Sequence, residues 1–153
     1  MSQQSFASFT IAGKFYTPEV ACSGILCQLT DRDIALATED EKGKILIFDY
    51  KRVFDESESV TPDPTVIVHV NFKIDPISIV MISDKYLLYV SNEKYVIVNV
   101  QTQRVEYTGD IKDIEGRLIA KMDGNSYIGD YQEETGYRKG KLINGVSIFT
   151  ISI

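Results

Sequence analysis

Apolar and polar positions alternate along most of this chain with a period close to two, and the alternation is broken at short intervals by turn-forming residues. Runs rich in Val, Ile, Tyr and Phe recur, each ended by Asp, Asn, Gly or Ser. That is the pattern of half-buried strands bounded by turns. It predicts strands over Ile25–Leu29, Ile34–Thr38, Lys44–Tyr50, Thr65–Phe72, Ile77–Ile82, Tyr86–Val90, Tyr95–Val100 and Arg104–Thr108. Weaker strands are expected over Arg117–Met122, Ser126–Tyr131 and Val146–Ile153. No window of about eleven residues carries a 3.6-residue apolar period, so helix is expected to be nearly absent.

The connections read as tight turns. Ser91-Asn92-Glu93 separates two strong strands as a hairpin would. Asp40-Glu41-Lys42-Gly43 and Asp123-Gly124-Asn125 serve the same purpose, with Gly or Asn free to take positive φ. Ser57–Pro64 differs: Pro62, Pro64, Glu58, Asp63 and the nearby Glu56 disfavour both sheet and core. It is expected to be a boundary between repeated units within one domain spanning 1–153.

Two stretches can be laid side by side. Residues 25–53 and 79–105 both run strand, Thr/Ser-Asp turn, strand, polar turn, strand, polar turn, then Arg-Val opening another strand. The units are therefore placed at about 20–56 and 65–110, with a weaker third unit over 111–153. Four-stranded antiparallel units repeating at about 40–50 residues characterise propeller blades. Each unit resembles a degenerate blade of a WD40-like β-propeller. In that family the third strand commonly ends in an aromatic followed by Asp, and here Phe48-Asp49 closes Ile45-Leu46-Ile47. The second unit has Asn99-Val100 in that place, no Gly-His pair occurs, and the chain contains no Trp. The resemblance covers residues 20–110 well and the remainder poorly. It implies a partial propeller that binds other proteins without catalysing a reaction, as scaffolds that resemble the family do.

Length complicates that expectation. At 153 residues the chain has room for two to three such units, whereas closed propellers have about four to eight blades. An open stack leaves sheet edges exposed. The chain ends on the alternating Val146–Ile153 segment, which leaves three alternatives. Another chain closes the ring, the sequence is a piece of a longer protein, or the fold is a single β-sandwich or barrel holding an apolar or carbohydrate-like ligand.

Composition narrows the function classes. The apolar runs are only a few residues long, far short of the roughly 20 that a spanning helix needs, so no membrane insertion is expected. The opening MSQQSFASFTIAG carries no basic residue before its apolar stretch, unlike a secretory signal. With 16 basic against 22 acidic residues the net charge is −6. The longest basic cluster is Arg138-Lys139-Gly140-Lys141, so phosphate backbones are disfavoured and no nucleic-acid partner is expected. Another protein chain, or self-association, is the expected partner.

Chemistry-bearing residues are few. His69 is the only histidine, and on alternation it lies opposite Val68 and Val70, toward solvent. No Gly-x-Ser-x-Gly elbow accompanies it, so a hydrolase reading would rest on His69 alone. Cys22 and Cys27 fall on opposite faces of an extended segment, which argues against their pairing, and with one His they give no zinc spacing. Free thiols suit a reducing compartment, and the cytoplasm or nucleus is expected. Asp123-Gly124-Asn125 opens like a calcium loop, but Tyr127 and Ile128 stand where a ligand and the glycine belong, so a hairpin turn is preferred. Asp31, Asp33, Glu39, Asp40 and Glu41 are read as a solvated rim.

Gly136, Gly140 and Lys141 are spaced one residue short of a phosphate loop and lack the following Ser or Thr. The stretch from Gly124 to Tyr131, with Gly136 and Gly140, also resembles one membrane-occupation (MORN) hairpin. A β-hairpin with a glycine-rich turn explains it equally. Tyr86, Tyr89, Tyr95 and Tyr107 cluster in the second unit, where cross-strand burial and an aromatic docking surface are both open. No catalytic, cofactor-binding or metal-binding residue is assigned, and no cofactor is expected.

Overall fold

Each strand that the alternation predicts is present in the structure, a computed structural model. It describes residues 7–11, 13–17, 21–39, 42–52, 62–71, 76–111, 118–134 and 142–153. In chain order the strands are β1 (Ala21–Gln28), β2 (Asp33–Thr38), β3 (Lys44–Asp49), β4 (Val66–His69), β5 (Pro76–Met81) and β6 (Tyr86–Ser91). They continue as β7 (Lys94–Asn99), β8 (Arg104–Asp110), β9 (Ile119–Lys121), β10 (Ser126–Glu134) and β11 (Leu142–Thr150). Among the described residues the α-helix is confined to a single turn at 50–52. No helix there is long and apolar enough to cross a membrane.

The strands form three separate antiparallel sheets. The first has the order β1-β2-β3-β4, the second β5-β6-β7-β8, and the third β9-β10-β11. Within each sheet every strand pairs with its neighbour in the chain, mostly across short polar turns and, between β3 and β4, across the longer 50–65 connection. This corrects two expectations. Among the described residues no sheet closes on itself, so they form no barrel to enclose a ligand, and their strands divide among three sheets rather than the two of a sandwich. The unit boundary also moves. Val66, Ile67, Val68 and His69 pair with Ile47, Leu46, Ile45 and Lys44, so β4 completes the first sheet and the second begins at Pro76. The proline-containing stretch therefore joins two strands of one sheet, where backbone pairing outweighs chain punctuation. Of that stretch, residues 57–61 lie outside the described residues.

The repeat extends to individual hydrogen bonds. The hairpin between the first two strands of each sheet is closed by one backbone bond with the same spacing. Leu29 N–H donates to Asp33 O (2.8 Å), Ile82 N–H to Tyr86 O (3.0 Å) and Met122 N–H to Ser126 O (2.9 Å). In the first two sheets a hydroxyl braces that turn. Thr30 Oγ1 accepts from the amides of Arg32 and Asp33, and Ser83 Oγ from those of Lys85 and Tyr86. The next hairpin repeats the device at buried Thr38 and Ser91. Thr38 Oγ1 accepts from Lys44 N–H at 3.0 Å and donates to Lys44 O at 3.3 Å. Ser91 Oγ accepts from Lys94 N–H at 2.9 Å and donates to Lys94 O at 2.6 Å. The Asp123-Gly124-Asn125 segment is the hairpin turn expected of it, with Gly124 at φ +64°.

The sheets stack face to face, and their first strands pack β1 against β5 and β5 against β9. Two apolar layers fill the gaps. Ala35, Ala37, Ile45, Ile47 and Val68 of the first sheet meet Ile79, Leu87, Tyr89, Val96 and Val98 of the second. The second sheet's opposite face, with Leu88, Val90 and Ile97, meets Ile119 and Tyr127 of the third. The second sheet is thus apolar on both faces, which is why β6 and β7 read as nearly continuous Leu, Val, Ile and Tyr.

Candidate interaction surface

Cross-strand register assigns each residue of one sheet a counterpart in the others. Leu26, Ile79 and Ile119 hold the same place in β1, β5 and β9. Ile34, Leu87 and Tyr127 correspond on the second strands, and Phe48, Val98 and Phe149 on the third. In the second and third sheets this face is turned toward the preceding sheet and buried. In the first sheet it faces outward. There Leu36, Leu46 and Phe48 form a smaller apolar cluster with Ile34, against which Phe15 packs at a ring separation of 5.3 Å from Phe48. Leu26, Leu36, Leu46 and Ile67 stand in one row across the sheet. The two ends of that row are 57% and 45% exposed.

The opposite face behaves in the complementary way. Ala35, Leu88 and Ile128 correspond, as do Ile47, Ile97 and Ile148, and Ile45, Tyr95 and Val146. The first- and second-sheet members lie against the following sheet. In the third sheet Val146 and Ile148 are each 65% exposed, and Leu118 is 59% exposed beside them. An open hollow of about 260 Å³ sits here, lined by Leu118, Ala120, Ile128, Asp130 and Val146 among others. Asp130 does not spoil this apolar surface, because its Oδ1 accepts the Leu118 N–H at 2.8 Å. Alternation alone would have shown that β11 has an apolar face. That this face lacks a neighbouring sheet required the tertiary arrangement.

Polar clusters lie at the turns. Arg32, between β1 and β2, donates through Nε and Nη2 to Asp49 Oδ2 at 3.2 and 3.0 Å. The Arg52 N–H and this guanidinium hold the Asp49 carboxyl below its ordinary range, against some desolvation. The Asp49 hydrogen bond in turn raises Arg32. Asn99 is the counterpart of Asp49. Its Oδ1 accepts from the amides of Gln101 and Thr102, and its Nδ2 donates to Glu106 Oε1 at 2.7 Å, which lowers the Glu106 carboxyl. Asp49 of the Phe48-Asp49 pair therefore closes a turn here, and Asn99 does the same work in the second sheet.

His69 is exposed on β4. It borders a hollow of about 490 Å³ between β4 and the start of β8, with Asn71, Gln103 and Arg104. Among the described residues lining that hollow there is no carboxylate and no nucleophile. Cys27 is a free thiol packed against the first apolar layer, and burial pushes it up to about 12. The side chain of Cys22 and the Gly136, Gly140 and Lys141 segment lie outside the described residues. Of the tyrosine cluster, Tyr89 is buried, Tyr86 and Tyr95 are half-buried, and Tyr107 is exposed, edge-on to Tyr86 at 6.4 Å.

The chain matches no protein-family model, no curated protein and no solved structure. The functional reading therefore rests on geometry.

Proposed function

We propose that this chain is a non-enzymatic protein–protein interaction scaffold built from WD40-like blades and docked to, or completed by, another chain. The observation that carries the reading is the third sheet's outer apolar face, exposed at Leu118, Val146 and Ile148, whereas the first sheet's outer face is buried at Leu36, Leu46 and Phe48, where Phe15 packs, and exposed only at Leu26 and Ile67. Contiguous apolar surface of this kind marks interaction sites in soluble proteins. Thr30, Arg32, Asp49, Ser83 and Asn99 are engaged in bracing turns, which fits the same reading. The free Cys27 favours the cytoplasm or nucleus as its compartment.

Light scattering on the purified chain, combined with binding of an apolar-surface dye such as ANS, tests this. A self-assembled species, or a monomer that binds dye through that face, is expected. A stable monomer that binds no dye would overturn the proposal.

A further inference from the structure

We infer that the outer edge of β11 takes up one more strand, an extended apolar segment of another protein that pairs antiparallel with Val146, Ile148 and Thr150. This rests on the interaction reading above and names the kind of partner and how it is held. The third sheet has three strands where the other two have four, and β11 stands at its end. Its counterparts are β3 and β7, each of which carries a further antiparallel strand, β4 and β8.

Backbone direction follows from alternation, because successive residues of an antiparallel strand turn their N–H and C=O to opposite sides. Val70 N–H donates to Gly43 O at 3.0 Å and Ile111 N–H to Glu93 O at 2.9 Å. Ile45 and Ile47 therefore bond toward β4, and Tyr95 and Ile97 toward β8. In the third sheet Asp130 N–H donates to Leu118 O at 3.3 Å, so Asp130 bonds toward β9 and its neighbour Gly129 toward β11. The partner of Gly129 is Ser147, which leaves the backbone groups of Val146, Ile148 and Thr150 directed away from β10. Val146 and Ile148 are the counterparts of Ile45 and Ile47. Among the described residues no strand pairs with them on that side.

The other outer strands are protected against pairing. β9 has three residues and β4 four. β1 and β5 pair through register shifts, and β5 opens on Pro76. β8 carries Arg104, Glu106 and Asp110. Shortness, irregularity, proline and charge are the devices that keep sheet edges apart. β11 has none of them. Its nine residues include no charged side chain and no proline, and they pair with β10 without a shift. Donors and acceptors presented in this alternating row are complemented by an extended backbone. Side chains of the incoming strand that fall beside Val146 and Ile148 continue the exposed apolar face, as Val68 and Val66 lie beside Ile45 and Ile47 in the first sheet. Apolar β-branched residues at alternate positions therefore suit the site.

The test is fluorescence anisotropy of a fluorescein-labelled peptide with the sequence of residues 64–71, PTVIVHVN, titrated with the whole chain. Saturable binding is expected. Ile148→Pro removes an outward N–H while sparing the ladder to β10, and it should weaken binding about tenfold or more. Val146→Pro replaces it if the urea midpoint shows that it has not folded. Independently of any variant, N-methylation of the peptide at the positions of Val66 and Val68 should abolish binding to wild type, and N-methylation at those of Ile67 and His69 should not.

Absence of binding, undiminished binding by a folded proline variant, or indifference to which amides are methylated would each overturn the inference. A chain that ignores the peptide yet binds ANS, with the dye lost in Val146→Asp, would sink strand addition while sustaining the interaction reading. A monomer that takes up neither peptide nor dye would remove both.

Discussion

The phenol of Tyr127 donates a 3.1 Å hydrogen bond to the carbonyl of Ile82, linking the third sheet to the first hairpin turn of the second across 45 positions of sequence. The ring is buried and stacks on Phe149 with centroids 6.0 Å apart. Burial raises the phenol's pKa, which keeps it a donor. Tyr127→Phe preserves the ring but removes the donor. It should cost about 1 kcal/mol, read as a fall in the urea midpoint with an unchanged slope.

Gly109 lies opposite Tyr95, and a Cβ on it would meet that ring at 2.3–2.5 Å. The ring is half-buried against the second apolar layer, so displacing it disturbs that packing. Gly109→Ala should therefore destabilise the protein by about 1–3 kcal/mol. A tyrosine fluorescence change that accompanies the loss in the native state would locate the effect at the ring.

Thr38 and Ser91 each satisfy both backbone groups of the lysine across their hairpin while being fully buried. Thr38→Val and Ser91→Ala leave an amide and a carbonyl without that hydroxyl. Each should cost about 1–3 kcal/mol, measured by thermal or urea unfolding. Thr38→Ser and Ser91→Thr keep the hydroxyl and should recover most of the loss.

Cys27 gives a pH dependence with a defined sign. Its folded thiol titrates at about 12 against an ordinary value of 9.0. Below pH 9 both folded and unfolded states hold the proton, and stability does not depend on it. As pH rises from 9 toward 12 the unfolded state releases a proton that the folded state keeps, so stability falls. Cys27→Ala should flatten that alkaline decline in urea titrations. The native thiol should also react with DTNB at pH 8 far more slowly than the unfolded one.

Much of the fold is legible in the sequence because strands with one or two buried faces leave a period of two. The eleven strands, the polar turns and the outward-facing His69 follow from it. The first unit's boundary does not. Val66–His69 looks equally good as the end of one sheet or the start of another, and only its pairing with Lys44–Ile47 decides. The interaction surface is half legible. Val146 and Ile148 are visibly apolar and alternate, but so are Ile45 and Ile47, which are buried. The difference lies in whether another sheet stands opposite, and the local pattern carries no trace of that. Tyr127 shows the same limit, since nothing around it in the chain points to Ile82.

Pairing of every strand with its chain neighbour has a kinetic side. The second sheet closes only short turns, so it can form before the rest of the chain is available. The apolar layers, by contrast, exist only once a second sheet has docked. The second sheet belongs to both layers, and its formation is the step that commits the others. The third, anchored through Ile119, Tyr127 and Phe149 with its far face bare, is the unit whose amides should exchange with solvent first.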